Sequence, residues 1–319
     1  MKSRRKNLHN KQKFNIITKN NESRLNMNLL ESCTICPHNC KINREEGKIG
    51  RCRSGKNIKI ALSSLHYAEE PCISGKNGSG TVFFSNCNLK CIYCQNYEIS
   101  HLGKGNEITK EELADIFIKE QNAGAHNINL VTPTMYVPQI IEAIRIAKSK
   151  GLNLPIIYNT NGYENVETIK RLEGYVDVYL PDLKYYSDEV AKKYSGIDNY
   201  FKFASNAIKE MINQVGFPSF DENGMIVKGV IIRHLVLPNH LQNTKNILKW
   251  IKENLPKEVW VSVMAQYFPT YKAKKDELLN RKLKHKEYKE IEEYMYLLNL
   301  ENGYLQDLEE NEEQYVPKF

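Results

Sequence analysis

From residue 81 onward the chain is punctuated by short, nearly continuous apolar runs: TVFFS (81–85), INLVT (128–132), PIIYN (155–159), VDVYL (176–180), GVIIRHLV (229–236) and VWVSVMAQ (259–266). They are rich in Val and Ile and do not alternate cleanly, which predicts parallel strands covered on both faces. The stretches between them carry helical periodicity. Thr109 and Glu112 form a capping box ahead of Leu113, Ile116 and Phe117. Val137, Ile140, Ile141, Ile144 and Ala147 make a second apolar stripe, stopped by Gly151. Six such alternations predict a parallel α/β barrel or open sheet. No tandem repeat and no low-complexity linker divides 81–300, and a helical stretch over 284–303 ends the fold.

Upstream the rhythm differs. Residues 33–80 are cysteine-rich and broken by Gly47, Gly50, Gly55, Gly75, Gly78 and Gly80, so a loop-like segment is expected. The organisation predicted is a basic disordered tail (1–30), a cysteine-rich segment (31–80), an α/β core (81–303) and an acidic C-terminal tail (304–319).

Composition narrows the class. With 319 residues, 41% of them hydrophobic and 26% charged, the chain can bury a substantial core, and wholesale disorder is excluded. No apolar run approaches the length of a membrane span. The basic N-terminus is followed only by the short apolar patch Phe14 to Ile17, too short for a signal peptide, so a cytoplasmic location and no membrane are expected. The net charge of +7 looks like a nucleic-acid signal until it is located. Residues 1–13 hold six Lys/Arg and no acid, while 301–319 hold six acids and one Lys. The body between is unremarkable, and the basic arm reads as a solvated tail.

All eight cysteines lie between positions 33 and 94. Without a secretory signal, close-spaced thiols point to metal rather than disulfides. The sharpest set is Cys87-Asn-Leu-Lys-Cys91-Ile-Tyr-Cys94, spaced C-x3-C-x2-C directly after the first strand. Three thiolates from one tight loop can hold three irons of a 4Fe-4S cube and leave the fourth iron open. A ligand-deficient metal is one kept for a substrate or cofactor. Zinc, which takes four ligands and commonly C-x2-C pairs, fits this spacing badly.

CNLKCIYC, with its aromatic Tyr93 before the third cysteine, resembles the cluster motif of the radical S-adenosylmethionine (SAM) superfamily. Cys33 to Cys40 (C-x2-C-P-x2-C), the run Gly78 to Phe84 and Cys94-Gln95-Asn96 are similar to the PflX-like branch, homologues of the pyruvate formate-lyase activating enzyme. The resemblance implies a partial (β/α)6 TIM-like radical SAM barrel. It implies that Cys87, Cys91 and Cys94 ligate a 4Fe-4S cluster whose open iron chelates SAM. It also implies that Tyr93 meets the adenine, that Thr134 stands where the family binds the methionine amino group, and that Leu183, Lys184 and Tyr185 fall on a SAM-contacting stretch.

Position along a barrel agrees, because working residues sit at the C-terminal strand ends. Thr132-Pro133-Thr134 follows the second strand, Asn159-Thr160-Asn161-Gly162 the third and Asp182-Leu183-Lys184 the fourth. Arg233 and His234 lie in the fifth, and Gln266 and Tyr267 end the sixth. Asn159, Asp182, Arg233 and Gln266 are therefore further cofactor-binding candidates, as is Gln95 in the stretch Cys94-Gln95-Asn96 that resembles the branch. Two positions depart from the family. Thr-Pro-Thr replaces its Gly-Gly-Glu, and Asn159 replaces an Asp.

Cys33, Cys36, Cys40 and Cys52 form a second set, compatible by spacing with a closed zinc site or a second iron–sulfur cluster. His38, between two of them, is expected on the surface, and Cys72, without a partner by spacing, is expected as a packed thiol. The resulting expectation is an oxidoreductase that cleaves SAM to a 5′-deoxyadenosyl radical for hydrogen abstraction. Its electron donor would be of flavodoxin or ferredoxin type, and its substrate a glycine of a glycyl-radical enzyme. The alternatives are a radical SAM enzyme acting on a small molecule or RNA, or a metal-stabilised nucleic-acid-binding module. The clustering of polar strand ends argues against the module.

Overall fold

The computed structural model describes residues 29–308, so the basic tail before residue 29 and the acidic tail beyond 308 lie outside the described residues. All six apolar runs are strands. β2 (Ser79–Phe84), β4 (Ile128–Val131), β5 (Ile156–Thr160), β6 (Val178–Pro181), β8 (Ile226–Leu235) and β9 (Trp260–Met264) pair in that order, each parallel to the next. Around them run helices α1 (Lys110–Asn122), α2 (Val137–Ser149), α3 (Val166–Lys170), α4 (Asp188–Ser195), α5 (Tyr200–Val215), α6 (Leu241–Asn254) and α7 (His285–Leu297). Thr109 caps α1 through its side chain, which accepts from Glu112 N, while Glu112 Oε2 accepts from Thr109 N at 2.7 Å. The apolar stripe of α2 is buried against the sheet.

The sheet is longer than the six strands. β1 (Ile58–His66) runs antiparallel to β2, and β3 (Asn106–Ile108) antiparallel to β1. At the other end β10 (Gly303–Leu305) adds a strand parallel to β9, and β7 (Ser219–Phe220) pairs with β8. The strand path ends at β10 and β3, so the barrel is incomplete.

Two expectations are corrected here. The segment 33–80 is not loop throughout, since β1 occupies nine residues of it. Its apolar Ile60, Ala61 and Leu62 are flanked by Lys59 and two serines and only Ile58 is fully buried, so its pairing with β2 makes it a strand. The stretch 284–303 is not one helix either. α7 stops at Leu297, and Gly303 opens β10 with φ 131°. A Cβ there would stand 1.9 Å from Val261 O, so only glycine lets β10 close on β9.

A one-turn helix, Pro71–Ser74, plugs the barrel floor. Cys72 and Ile73 pack against Ile157, Val178, Leu180, Ile226 and Ile231, the residues that face inward from β5, β6 and β8. The cysteine-rich loop docks outside. Asn165 Nδ2 donates to Thr34 O at 2.7 Å and Thr168 Oγ1 to Ile35 O at 2.6 Å. Arg44, fully buried, donates to Met135 O at 2.7 Å. Among the described residues no helix is long and apolar enough to cross a membrane.

Truncating the plug should loosen the whole barrel. Ile73→Ala is expected to lower unfolding free energy by about 2–5 kcal/mol, the range for large-to-small changes at fully buried sites. Urea denaturation measures this, and an unchanged midpoint would show that the floor does not depend on the plug.

Candidate functional site

The loop after β2 is held from several sides before any thiol is considered. Ser85 Oγ donates to Lys104 O at 2.5 Å, and Asn86 N to Ile99 O at 2.9 Å. Ile92 N donates to Tyr194 O at 2.9 Å, and the His101 ring lies 3.0 Å from Cys91 O. His38 is half-buried rather than on the surface, with Nε2 at 2.8 Å from Asn88 O, so the cysteine-rich loop braces this one. Burial lowers the pKa of His38.

Cys87, Cys91 and Cys94 line one cavity of about 230 Å³ at the C-terminal ends of the parallel strands. Each sulfur meets a polar group. Asn161 Nδ2 stands 3.3 Å and Leu89 N 3.4 Å from Cys87 Sγ, Ser195 Oγ 2.9 Å from Cys91 Sγ, and Ser100 Oγ 3.1 Å from Cys94 Sγ. The Ser195 hydroxyl continues to Tyr185 OH at 2.7 Å and on to Tyr93 OH at 2.5 Å. Burial pushes the Cys87 thiol up to about 12 and the Cys94 thiol to about 11, and it raises Cys91 as well. Thiols so placed hold a proton unless a cation replaces it.

Opposite the loop lies a charged network. Arg233 Nε donates to Asp182 Oδ1 at 3.0 Å, and its two terminal nitrogens to Glu69 Oε2 at 3.0 Å and Asn159 Oδ1 at 2.6 Å. Lys184 Nζ lies 2.6 Å from Asp182 Oδ2. Burial works to raise the Asp182 carboxyl, but Lys184 and Arg233 outweigh it and hold it below the usual range. Glu69 also accepts from the amides of Asn129 and Asn159, both at 3.2 Å.

The structure thus brings Tyr93, Gln95, Asn159, Asp182, Lys184, Arg233 and Gln266 to the same cavity as the three thiols. Thr134 is not among them. Thr132, at φ 59°, lines the cavity, while the fully buried Thr134 turns outward and donates to Glu164 Oε1 at 2.6 Å. Leu183 and Tyr185 are buried in the core, and Tyr267 donates to Leu279 O at 2.6 Å. His234, its ring at 2.6 Å from Leu183 O and 2.9 Å from Thr244 Oγ1, is structural, and burial lowers it to about 4.

Sequence reasoning missed Glu69, Ser195 and Ser100. Glu69 follows a strand that is only half-buried, and Ser195 lies at the end of α4, far in sequence from the thiol it meets. Cys33, Cys36 and Cys52 are buried and Cys40 exposed, and none lines this cavity. Among the described residues no three His, Cys, Asp or Glu side chains converge on a single ion. That holds for the cavity thiols too, but a cluster gives each sulfur its own iron. An all-thiol donor set, with a hydrogen-bond donor at each sulfur and polar groups across the cavity, fits a 4Fe-4S cluster with SAM on its open iron.

The sequence profile of the radical SAM superfamily matches residues 81–229. An uncharacterized protein of Methanocaldococcus jannaschii is 35% identical over 286 residues, covering 86% of this chain and 77% of its own. The pyruvate formate-lyase-activating enzyme of Clostridium pasteurianum is 23% identical over 202 residues, 60% of this chain and 81% of its own. Among solved structures, methylornithine synthase aligns with 18% identity and a TM-score of 0.46 over 66% of this chain. Streptococcus suis SuiB bound to its precursor peptide SuiA aligns with 16% identity and a TM-score of 0.44 over 68%. This chain spans 59% and 46% of the lengths of those two chains.

Behind the cavity wall, Glu164 is buried with Thr134, Thr160 and Tyr158 donating to one oxygen, and burial pushes its carboxyl to about 7. A raised folded-state pKa favours the folded state below the unfolded value near 4.5 and loses that contribution as pH rises through about 7. Glu164→Gln should therefore gain stability over the wild type by on the order of 3 kcal/mol between pH 4.5 and 7. Urea unfolding at several pH values checks it; parallel curves for the two proteins would refute it.

Proposed function

This chain belongs to the radical SAM superfamily, and from that premise we propose that it abstracts hydrogen from a glycine Cα of a partner protein. The observation that carries the first part is three thiols of one strand-end loop on the same cavity as the Lys184–Asp182–Arg233 network. When bound, a 4Fe-4S cluster with SAM supplies one-electron cleavage of the sulfonium to methionine and a 5′-deoxyadenosyl radical.

The chain's own residues bind, orient and exclude. Cys87, Cys91 and Cys94 would hold the cluster. Asn161 donates toward Cys87 Sγ, and the hydroxyls of Ser195 and Ser100 lie within hydrogen-bond reach of Cys91 and Cys94, where they would donate to cluster-bound thiolates and so help set the potential. Lys184 offers a point charge to a carboxylate, and Asp182 an acceptor to an ammonium, which suits the methionine end of SAM. Tyr93 and Gln95, on the loop itself, and Gln266, opposite, wall the nucleoside end. Arg51, Arg53 and Lys272 stand exposed close to the loop, and their charge suits an acidic reductant of flavodoxin or ferredoxin type.

Two observations support a peptide substrate. The sheet is open between β10 and β3, which gives an extended chain a side entrance. Similarity to activating enzymes extends over more than half the chain. The wall differs from theirs at Thr132 and Asn159, so the glycine-bearing segment would differ too.

Reduced, reconstituted protein is expected to convert SAM to 5′-deoxyadenosine, and Cys91→Ala to abolish this. A Cys91→Ala variant that loads the same iron and cleaves SAM at the wild-type rate would refute the assignment. For the substrate, the reduced enzyme and SAM are incubated anaerobically with glycyl-radical enzyme homologues of the same cell. An EPR doublet from the partner is the expected result. SAM cleavage with no partner radical, but with a stoichiometric change in a metabolite or RNA base, would transfer the protein to that substrate class.

A further inference from the structure

We propose that the gap in the incomplete barrel is a subsite for a cationic group of the substrate, an ammonium or guanidinium, selected by Glu70. The proposal rests on the function above for its reason to hold a substrate, but not for its test.

A second cavity of about 320 Å³ lies between the segment after β1 and β10, lined by Tyr67, Glu69, Glu70, Ser262, Tyr304 and Asp307. It shares Glu69, Arg233, Met264 and Gln266 with the cavity of the cluster loop, so a molecule seated in one borders the other.

Its charge is unbalanced. Three carboxylates line it against the single cation Arg233, whose guanidinium is already engaged by Asp182, Glu69 and Asn159. Glu69 has its own donors in Asn129, Asn159 and Arg233. Glu70 does not. It is only 8% exposed, and its Oε2 has no hydrogen-bond partner. The orphan atom is an acceptor, so the missing component is a donor.

Burial raises the Glu70 carboxyl, Arg233 works against this, and Glu69 adds to it. A proton or a cation relieves such a group, and a cation does so while gaining the attraction of the second carboxylate. Tyr67 and Tyr304 line the same cavity, and aromatic rings attract a cation. An anion would meet three carboxylates, and a neutral group would leave Glu70 uncompensated.

The test is binding. The full, reconstituted chain is titrated calorimetrically with n-butylammonium, n-butanol and butyrate. The ammonium should bind at least about tenfold more tightly than the other two, and Glu70→Gln should weaken it by about tenfold. Since Glu70 lies above the floor plug, Asp307→Asn at the surface provides a second variant, expected to weaken the ammonium by about threefold without touching the core. Butanol binding as well as butylammonium, or unchanged ammonium affinity in both variants, would overturn the proposal. N-acetyl-Gly-Lys-Gly-amide completes the series. Tighter binding than butylammonium supports the site with a peptide as the source of the cation, and weaker binding supports it with a small molecule. Binding is read without SAM turnover, so a chain that cleaves no SAM can still pass or fail.

Discussion

The guanidinium of Arg233 joins four parts of the chain that are distant in sequence. From β8 it reaches Asp182 after β6, Asn159 on β5 and Glu69 after β1. All of this happens inside the barrel, where an unpaired charge is costly; removing one partner of such a buried set costs about 3–5 kcal/mol. Lys184 and Asp182 owe their ionised state to the same arrangement. The network therefore decides where the β6 strand end stands relative to the cluster loop, and with it which polar groups face the cavity.

The thiol side of the cavity depends on a different balance. Burial alone would leave three protonated sulfurs, as the raised Cys87 and Cys94 show. The hydroxyls of Ser195 and Ser100 and the Asn161 amide offset part of that cost for the ionised forms. A metal bound to these thiols would offset the remainder, which would couple occupancy to local stability. The Tyr93–Tyr185–Ser195 chain fixes Cys91 to α4, which ties the loop to an element outside the strand ends. Rigid support of this kind keeps a loop-borne site in register.

The open edge of the sheet has two consequences. It leaves the barrel interior without a closing strand, and the Pro71–Ser74 turn fills the floor in its place. It also places Glu69 and Glu70, just before that turn, beside the strand-borne Arg233. Filling the floor and charging the gap are done by one short segment, so the acidic character of the gap follows from how the fold is closed.

The apolar runs of β2, β4, β5, β6, β8 and β9 and the Thr109 and Gly151 signals were readable because local pattern and burial coincide there. The C-x3-C-x2-C spacing was readable because three thiols on one tight loop need no tertiary information to be brought together. Asp182, Lys184 and Arg233 could be named as strand-end residues, though not as partners. Tertiary structure alone decided the rest. β1 is made by pairing with β2 rather than by its own half-buried residues. Thr134 faces Glu164 because Thr132 takes the left-handed turn that reverses the strand end. Ser195 and Glu69 reach the site across long sequence separations. Periodicity and spacing record what neighbours along the chain impose, whereas hydrogen bonds and ion pairs between distant segments are set by the closing of the sheet, and that leaves no local trace.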